Sequence, residues 1–513
     1  MKSPSKSTRN TKGPRTSAEE RPKETVQGHA ARGSSAPVES DAQSAAPDGK
    51  GERVTVRVYR QGLGDCILVR VKRPSHDDFK LMIDCGVVLG TPDAAKIMTR
   101  VMENLVSDTQ GKVDALAITH EHFDHLSGFT QAPEAFAKLA VGAVWVAWTE
   151  DPKDDLANQL AKELGAAKQK LAACASALRA VDDGATVQAL QDIALIPLGA
   201  ATSSGTSTKA AFDAVKARGN VRLWRPSDAP FEIPGVNARI YALGPPHDPK
   251  LIRKINPSTA NPETYGLVMN GAGALPLGVV TALDRLGTSD GQDGDADDKA
   301  APFHPRMTVP LGPNGRPFLF DNAWVDDAAW RGVDDFFRDH YFAGTDWRRI
   351  DGEWLGSAAE LALALQSYTN NTSLVLALEL GDPGKGDVLL FAGDAQVGNW
   401  ESWQTWTREV NGVQVTGPDL LKRTIFYKVG HHGSHNATLK GHGVEEMDAL
   451  KAAIIPVDEA EAKKKRWGSM PLPELIAALE NKRPTVSLLR TDQDPTNPPS
   501  QATITSEYFD LGL

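Results

Sequence analysis

A dense group of metal-ligand side chains lies in the stretch ITHEHFDHLSGF at residues 118–129. His120, His122, Asp124 and His125 fall within six positions, although the 513-residue chain has only 12 histidines. Alternate residues of an extended chain point the same way, so His120 and His122 project together, and after a turn Asp124 and His125 face a second point nearby. Neutral imidazoles and carboxylates bind Zn²⁺, and also Mn²⁺ or iron. The spacing predicts two divalent metal ions, zinc being the first choice.

Apolar strands alternating with helices must position these residues. The predicted strands cover residues 53–60, 65–71, 79–86, 113–119, 236–246, 371–380, 387–395, 423–435, 448–457 and 485–491. The predicted helices cover residues 93–106, 154–180 and 471–482. This order favours two sheets with helices on their outer faces, an α/β layer architecture.

Two long stretches depart from this pattern. Residues 1–52 are rich in Ser, Pro and charged residues and poor in large apolar ones, which predicts a disordered tail. Residues 249–369 are irregular and predict an insertion that could serve as a lid. Residues 53–513 are predicted to form one domain, and the tail or the insertion could recruit a protein partner.

Composition narrows the classes of function. The net charge of −10 argues against a general nucleic-acid coat protein, although a local basic groove such as KKKRW at 463–467 stays open. The three cysteines form no CxxC site, which favours a reducing compartment. No apolar run reaches the roughly 18 residues of a membrane span, and the basic N-terminus lacks the apolar core of a secretory signal. We therefore expect a cytoplasmic protein without a membrane partner.

The HEHFDH motif resembles the signature of the metallo-β-lactamase superfamily. Further blocks resemble the metallo-β-lactamase domain of ComEC-type DNA-uptake proteins, without their membrane channel. These blocks are RQGLGDCILVR…LMIDCG, NNTSLVLALEL…DVLLFAGDA, YKVGHHGSH and, in part, LLRTDQD. The resemblance implies a four-layer αββα metallo-β-lactamase sandwich.

The resemblance also assigns roles residue by residue. It implies that His120 and His122 bind the first metal, that Asp124 and His125 bind the second, and that Asp394 bridges them. It further implies that Asp84 holds a ligand histidine in one tautomer by a hydrogen bond.

The HHGSH stretch should bring His431 and His432 into the site, with His432 as the first choice for a metal ligand. His431 would then hydrogen-bond the leaving group or a phosphate oxygen, whereas His435 is as well explained by a supporting or surface position.

The chain also departs from the resemblance. The family's GHPHPE block is replaced by WGSMPLPE, so Met470 and Leu472 stand where histidines are expected. The third ligand of the first metal is open. His247 is the best-placed candidate, and His304 and His340 lie in the insertion.

The predicted chemistry is hydrolysis by a hydroxide that the metal ions generate near neutral pH. Asp124, His431 and His432 are the predicted catalytic residues, and Asp124 would accept a proton from the water. The resemblance favours a phosphodiester, including DNA or RNA, with KKKRW and Lys428 as candidate phosphate contacts. Two alternatives are a hydrolase of a small ester, lactone or phosphorylated metabolite, and a weakly catalytic or non-catalytic metal-binding module.

Overall fold

Two β-sheets form the frame of the molecule. The computed structural model describes residues 53–179, 208–255, 257, 264, 365–465, 467–483 and 485–513. The tail at 1–52 and most of the insertion at 249–369 lie outside the described residues, as do His304 and His340.

The first sheet has eight strands in the order β16-β17-β1-β2-β3-β4-β5-β6. Its strands are β1 Val54–Tyr59, β2 Cys66–Val71, β3 Phe79–Cys85, β4 Lys112–Ala117, β5 Ala140–Ala147, β6 Asn220–Trp224, β16 Ala502–Ile504 and β17 Tyr508–Gly512. Strands β3 to β6 run parallel to one another, so their carboxyl ends share one edge of the sheet.

The second sheet has seven strands in the order β15-β14-β13-β10-β9-β8-β7. Its strands are β7 Phe231–Glu232, β8 Ala238–Gly244, β9 Val375–Leu380, β10 Asp387–Phe391, β13 Thr424–Lys428, β14 Ala452–Ile455 and β15 Ser487–Arg490. A separate hairpin pairs β11 Thr407–Val410 with β12 Val413–Thr416.

Helices cover the outer faces of both sheets. They are α1 Ala94–Thr109, α2 Phe123–Gln131, α3 Pro133–Ala137, α4 Asp155–Arg179, α5 Thr208–Lys216, α6 Val397–Trp403, α7 Gly417–Lys422, α8 Glu459–Lys464 and α9 Pro473–Glu480. Apolar residues of α1, α2 and α5 pack on the first sheet, and those of α6, α7 and α9 pack on the second.

The core between the sheets is a continuous apolar layer to which both contribute. Strands β1 and β9 alternate their side chains, so that Val56 and Leu376 face this layer while the neighbouring positions face elsewhere. The αββα order of layers that the resemblance implied is confirmed.

One local prediction needs refinement. After the HEH residues we expected only a turn, but the chain enters α2 at Phe123, with His122 at the N-cap position. The helix fixes the direction of Asp124 and His125 more firmly than a turn would, since both belong to its first turn.

Candidate metal centre

The candidate site lies where strand ends of the two sheets meet. The loop after β4 carries His120 and His122, and the backbone N–H of Leu374, just before β9, donates to Thr119 O at 2.8 Å. Asp394 follows β10 and its N–H donates to Ser373 Oγ at 3.0 Å. Segments some 270 residues apart in sequence are thereby joined at one edge of the sandwich.

The fullest group of ligand atoms joins Asp124, His125, Asp394 and His432, whose atoms lie within 4.8 Å of one another. His432 Nε2 lies 3.0 Å from Asp124 Oδ2 and 3.7 Å from Asp394 Oδ2. His125 Nε2 lies 3.3 Å from the same Asp394 oxygen. Two carboxylates and two imidazoles therefore converge on one point.

A second group consists of His120, His122 and Asp394. His120 Nε2 faces His122 Nδ1 at 2.9 Å and lies 3.9 Å from Asp394 Oδ2. Asp394 Oδ2 thus faces both groups, which is the position expected of a bridging carboxylate. All five residues His120, His122, His125, Asp394 and His432 are buried.

Hydrogen bonds made by Nδ1 of two histidine rings determine where the Nε2 atoms of these rings point. His125 Nδ1 donates to Asp84 Oδ2 at 2.8 Å, and His432 Nδ1 donates to Pro456 O at 2.7 Å. In the neutral form of each ring the proton is therefore on Nδ1, and Nε2 presents a lone pair to the site. Asp84 thus contacts the far side of a candidate ligand histidine, the contact that the resemblance implied for it.

Asp84 also holds the loop that carries the first pair of histidines. Its Oδ1 accepts from Thr119 N at 2.8 Å and its Oδ2 accepts from Thr119 Oγ1 at 2.6 Å. Because the Thr119 hydroxyl donates to Asp84, it is free to accept from His120 Nδ1 at 3.1 Å. One buried carboxylate therefore positions residues of both groups.

The site attracts positive charge. Burial alone would lower the pKa of His125, but Asp394 and Asp84 raise it well above its usual value. The pKa of His432 is raised in the same way, against burial, by Asp394 and Asp124. Burial, aided by neighbouring imidazoles, instead holds the pKa of His120 well below its usual value and brings that of His122 to about 4. The electrostatic demand for a cation is thus concentrated at the four-residue group.

Two charged residues of the site were missed as supporting groups. Lys428 Nζ lies 2.5 Å from Asp65 Oδ2 and 3.6 Å from Asp394 Oδ1, and it donates to Gly393 O at 2.9 Å. Lys428 is 1% exposed, so the prediction that it contacts a phosphate backbone is wrong. Asp65 lies in the GLGDC segment, which the sequence showed only as part of a resemblance block.

His431 lies beside the site but in none of the ligand groups found among the described residues. Its Nε2 is 2.9 Å from Asn370 Nδ2, and its Nδ1 is 2.6 Å from Ser434 Oγ. Burial lowers its pKa to about 4, so the ring is neutral near pH 7. The backbone of His431 and His432 is left-handed, with φ of 43° and 51°, which turns the two rings in different directions.

His247 stands apart from the ligand groups. Its Nε2 bonds Asp154 Oδ2 at 2.8 Å, and its ring packs against Trp148. The structure therefore does not place it as a third ligand of the first metal.

The residues that replace the family's second histidine block are apolar and buried. Met470 and Leu472 belong to the core outside the second sheet, and Leu472 N donates to Gly433 O beside the His432 loop. They support that loop but supply no ligand atom.

Most residues of the KKKRW run make contacts within the protein. Lys463 pairs with Glu459 at 2.6 Å, Lys464 with Glu461 at 3.2 Å, and Lys465 donates to Leu89 O at 2.6 Å. Arg466 lies outside the described residues, and Trp467 packs against the core. These contacts match a structural interpretation of the run.

Comparison with known proteins adds a family to this geometry. The model of the metallo-beta-lactamase superfamily matches residues 59–164, a range that includes Asp65, Asp84 and the 120–125 motif. None of the curated proteins compared with the chain matches it. In the described part of the chain, no helix is long and apolar enough to cross a bilayer. Residues 59–164 are thus similar to the metallo-beta-lactamase superfamily, and the αββα layers and the convergent histidines and aspartates agree with that similarity.

Proposed function

We propose that this protein is a metal-dependent hydrolase that holds two divalent ions side by side and acts on a phosphodiester. The superfamily match supports a metal-dependent hydrolase in general. The ComEC-type resemblance of the sequence blocks supports the phosphodiester, and two-metal sites are common in enzymes that displace at phosphorus.

One observation carries the proposal. Nε2 of His125 and of His432 and the oxygens of Asp124 and Asp394 all face one another within 4.8 Å. With Nδ1 of both rings donating elsewhere, these four groups offer only lone pairs to that point when the rings are neutral. Such an arrangement is repulsive unless a cation, either a proton or a metal ion, stands among them.

The residues fit a divalent ion of the zinc class. His125 Nε2 and Asp394 Oδ1 are buried and have no hydrogen-bond partner among the described residues. Buried polar atoms are rarely left unpaired without a functional reason. Imidazole nitrogen and carboxylate oxygen, without thiolate, suit Zn²⁺ and also Mn²⁺ or Fe²⁺.

In this proposal Asp124, His125, Asp394 and His432 hold one ion, and His120, His122 and Asp394 hold the other. When bound, the ions would supply an activated water and polarise the oxygen that gains charge in the reaction. Asp84 keeps His125 in the tautomer that presents Nε2, and Asp124 can receive a proton at its carboxylate. His431, a neutral ring beside the site, can hydrogen-bond a substrate oxygen.

The test combines metal content with a substrate panel. Zinc-loaded protein is assayed on bis(p-nitrophenyl) phosphate, on plasmid and single-stranded DNA, on RNA and on lactones. Asp394→Asn should lower phosphodiester turnover by about a hundredfold or more, since even residues that only support metal ligands are worth 10- to 100-fold. Asp387→Asn is the matched control. Asp387 is the first residue of β10, the strand that Asp394 follows, and it pairs with Arg53 on the surface.

The outcomes separate the alternatives. Phosphodiester cleavage that Asp394→Asn abolishes and Asp387→Asn retains supports the proposal. Turnover of lactones alone would mean that the substrate is a small ester and not a phosphodiester. Two bound ions with no turnover on any substrate would favour a binding module.

A further inference from the structure

A lysine of helix α4 reaches the loop of the first histidine pair. Lys168 Nζ bonds Glu121 Oε1 at 2.8 Å, and Glu121 is the residue between His120 and His122. A cation that the phosphodiester proposal does not use therefore lies against the loop that carries the first histidine pair.

Helix α4 is held in place near this position by contacts of its own. Trp148, Ala157 and Ile252 form a small apolar cluster under its first turns. Further along, Glu163 accepts two hydrogen bonds at 2.9 Å from Arg253 Nη2, one on each carboxylate oxygen. Position 168 thus extends from a helix that is fixed both by packing and by an ion pair.

The ammonium of Lys168 has bonding capacity left for a ligand. A lysine ammonium offers three donors, and among the described residues Lys168 donates to Glu121. Its side chain keeps 22% of its surface exposed, so a ligand can reach it. Lys428, the other lysine near the ligand groups, is 1% exposed and bonds Asp65 and Gly393 O.

We propose that Lys168 binds the anionic oxygen of the substrate, so that the site selects a monoanionic phosphodiester over a neutral ester. Glu121 orients the ammonium, and the anion accepts from its remaining donors beside His122. The inference rests on the proposed function and adds to it a substrate-binding residue that lies outside the metal ligands.

The test measures binding separately from turnover. Isothermal titration of the zinc-loaded full chain with dimethyl phosphate gives a Kd for wild type, Lys168→Met, Lys168→Arg and Lys162→Met. Lys168→Met keeps the length of the side chain and removes its charge. Lys162 lies exposed on the same helix and is the matched control. Zinc content and thermal unfolding are recorded for each variant to confirm an intact centre and fold.

We expect Lys168→Met to raise the Kd about tenfold, since a charge-assisted hydrogen bond at a partly buried site is lost. Lys168→Arg should restore most of the affinity, and Lys162→Met should match wild type. A purely structural role for Lys168 would instead lower the zinc content or the unfolding temperature of Lys168→Met.

Three results would overturn the inference. They are no binding of dimethyl phosphate by wild type, equal binding by Lys168→Met and wild type, or equal weakening in Lys162→Met. Assays of bis(p-nitrophenyl) phosphate on the same samples separate the two proposals. If dimethyl phosphate binding depends on Lys168 but no cleavage occurs, the hydrolase proposal is refuted and the anion site is supported. If cleavage occurs but binding does not depend on Lys168, only the anion site is refuted.

Discussion

The substitution Asp84→Asn tests how the site controls the tautomer of a ligand histidine. Asp84 Oδ1 accepts from Thr119 N, and Oδ2 accepts from both Thr119 Oγ1 and His125 Nδ1. An asparagine has the same size and tolerates the left-handed backbone at this position, where φ is 53°. The change therefore alters hydrogen-bond chemistry with little change of shape.

The amide can be placed in only one favourable way. Its oxygen must face Thr119 N, because an amide NH₂ there would oppose another donor. The NH₂ then faces His125 Nδ1 and donates to it, which moves the ring proton to Nε2. In that tautomer Nε2 no longer offers a lone pair to a metal ion.

We expect Asp84→Asn to weaken zinc binding by about 10- to 100-fold, the usual effect of removing such a supporting carboxylate. That loss corresponds to roughly 1.4–2.8 kcal/mol. Competition with a chromophoric chelator measures the affinity. Asp114→Asn is the matched control, because Asp114 accepts from Lys80 N at 2.8 Å on the same sheet and lies outside the ligand groups. A zinc affinity for Asp84→Asn within twofold of wild type would refute the reasoning.

Three other perturbations test further parts of the site. Carboxylates raise the pKa of both His125 and His432, so zinc binding near pH 7 should release about one to two protons and should tighten as the pH rises. Calorimetry in buffers of different ionisation enthalpy measures this release, and a result of no release would contradict the prediction. Lys428→Met leaves a buried carboxylate without its partner and should lower the free energy of unfolding by about 3–5 kcal/mol in urea titrations, whereas a loss under 1 kcal/mol would be too small. Gly86→Ala places a Cβ against the backbone of Asp124, so it should lower the free energy of unfolding by about 1–3 kcal/mol and weaken zinc binding. An unchanged unfolding free energy and zinc affinity would mean that this loop can shift without cost.

The sequence indicated those site residues that lie close together along the chain. His120, His122, Asp124 and His125 are close together, so their spacing alone indicated a shared site. The predicted strand at 387–395 was observed as β10 Asp387–Phe391, and it delivers Asp394 to the same edge. Hydrophobic patterns located ten of the 17 strands in the described residues, because burial on both faces leaves continuous apolar runs. The strands they missed are β5, β6, β7, β11, β12, β16 and β17.

The supporting residues could not be deduced from local patterns. Asp65 follows two glycines and looks like a turn residue, and Lys428 ends an apolar strand where a lysine is usually exposed. Their ion pair exists only because β13 and the segment before β2 meet in space. His247 shows the converse error, since a histidine after a strand matched the expected pattern but pairs with Asp154 instead.

The central claim is that divalent metal ions bind around Asp394, between the 120–125 motif and His432. A crystal of the zinc-loaded protein, measured for anomalous scattering at the zinc edge, tests this most directly. We predict two peaks, one among Asp124, His125, Asp394 and His432 and one beside His120 and His122, with ligand distances of about 2.0–2.2 Å. A map with no anomalous peak within coordination distance of Asp394, in protein shown to contain zinc, would contradict the claim.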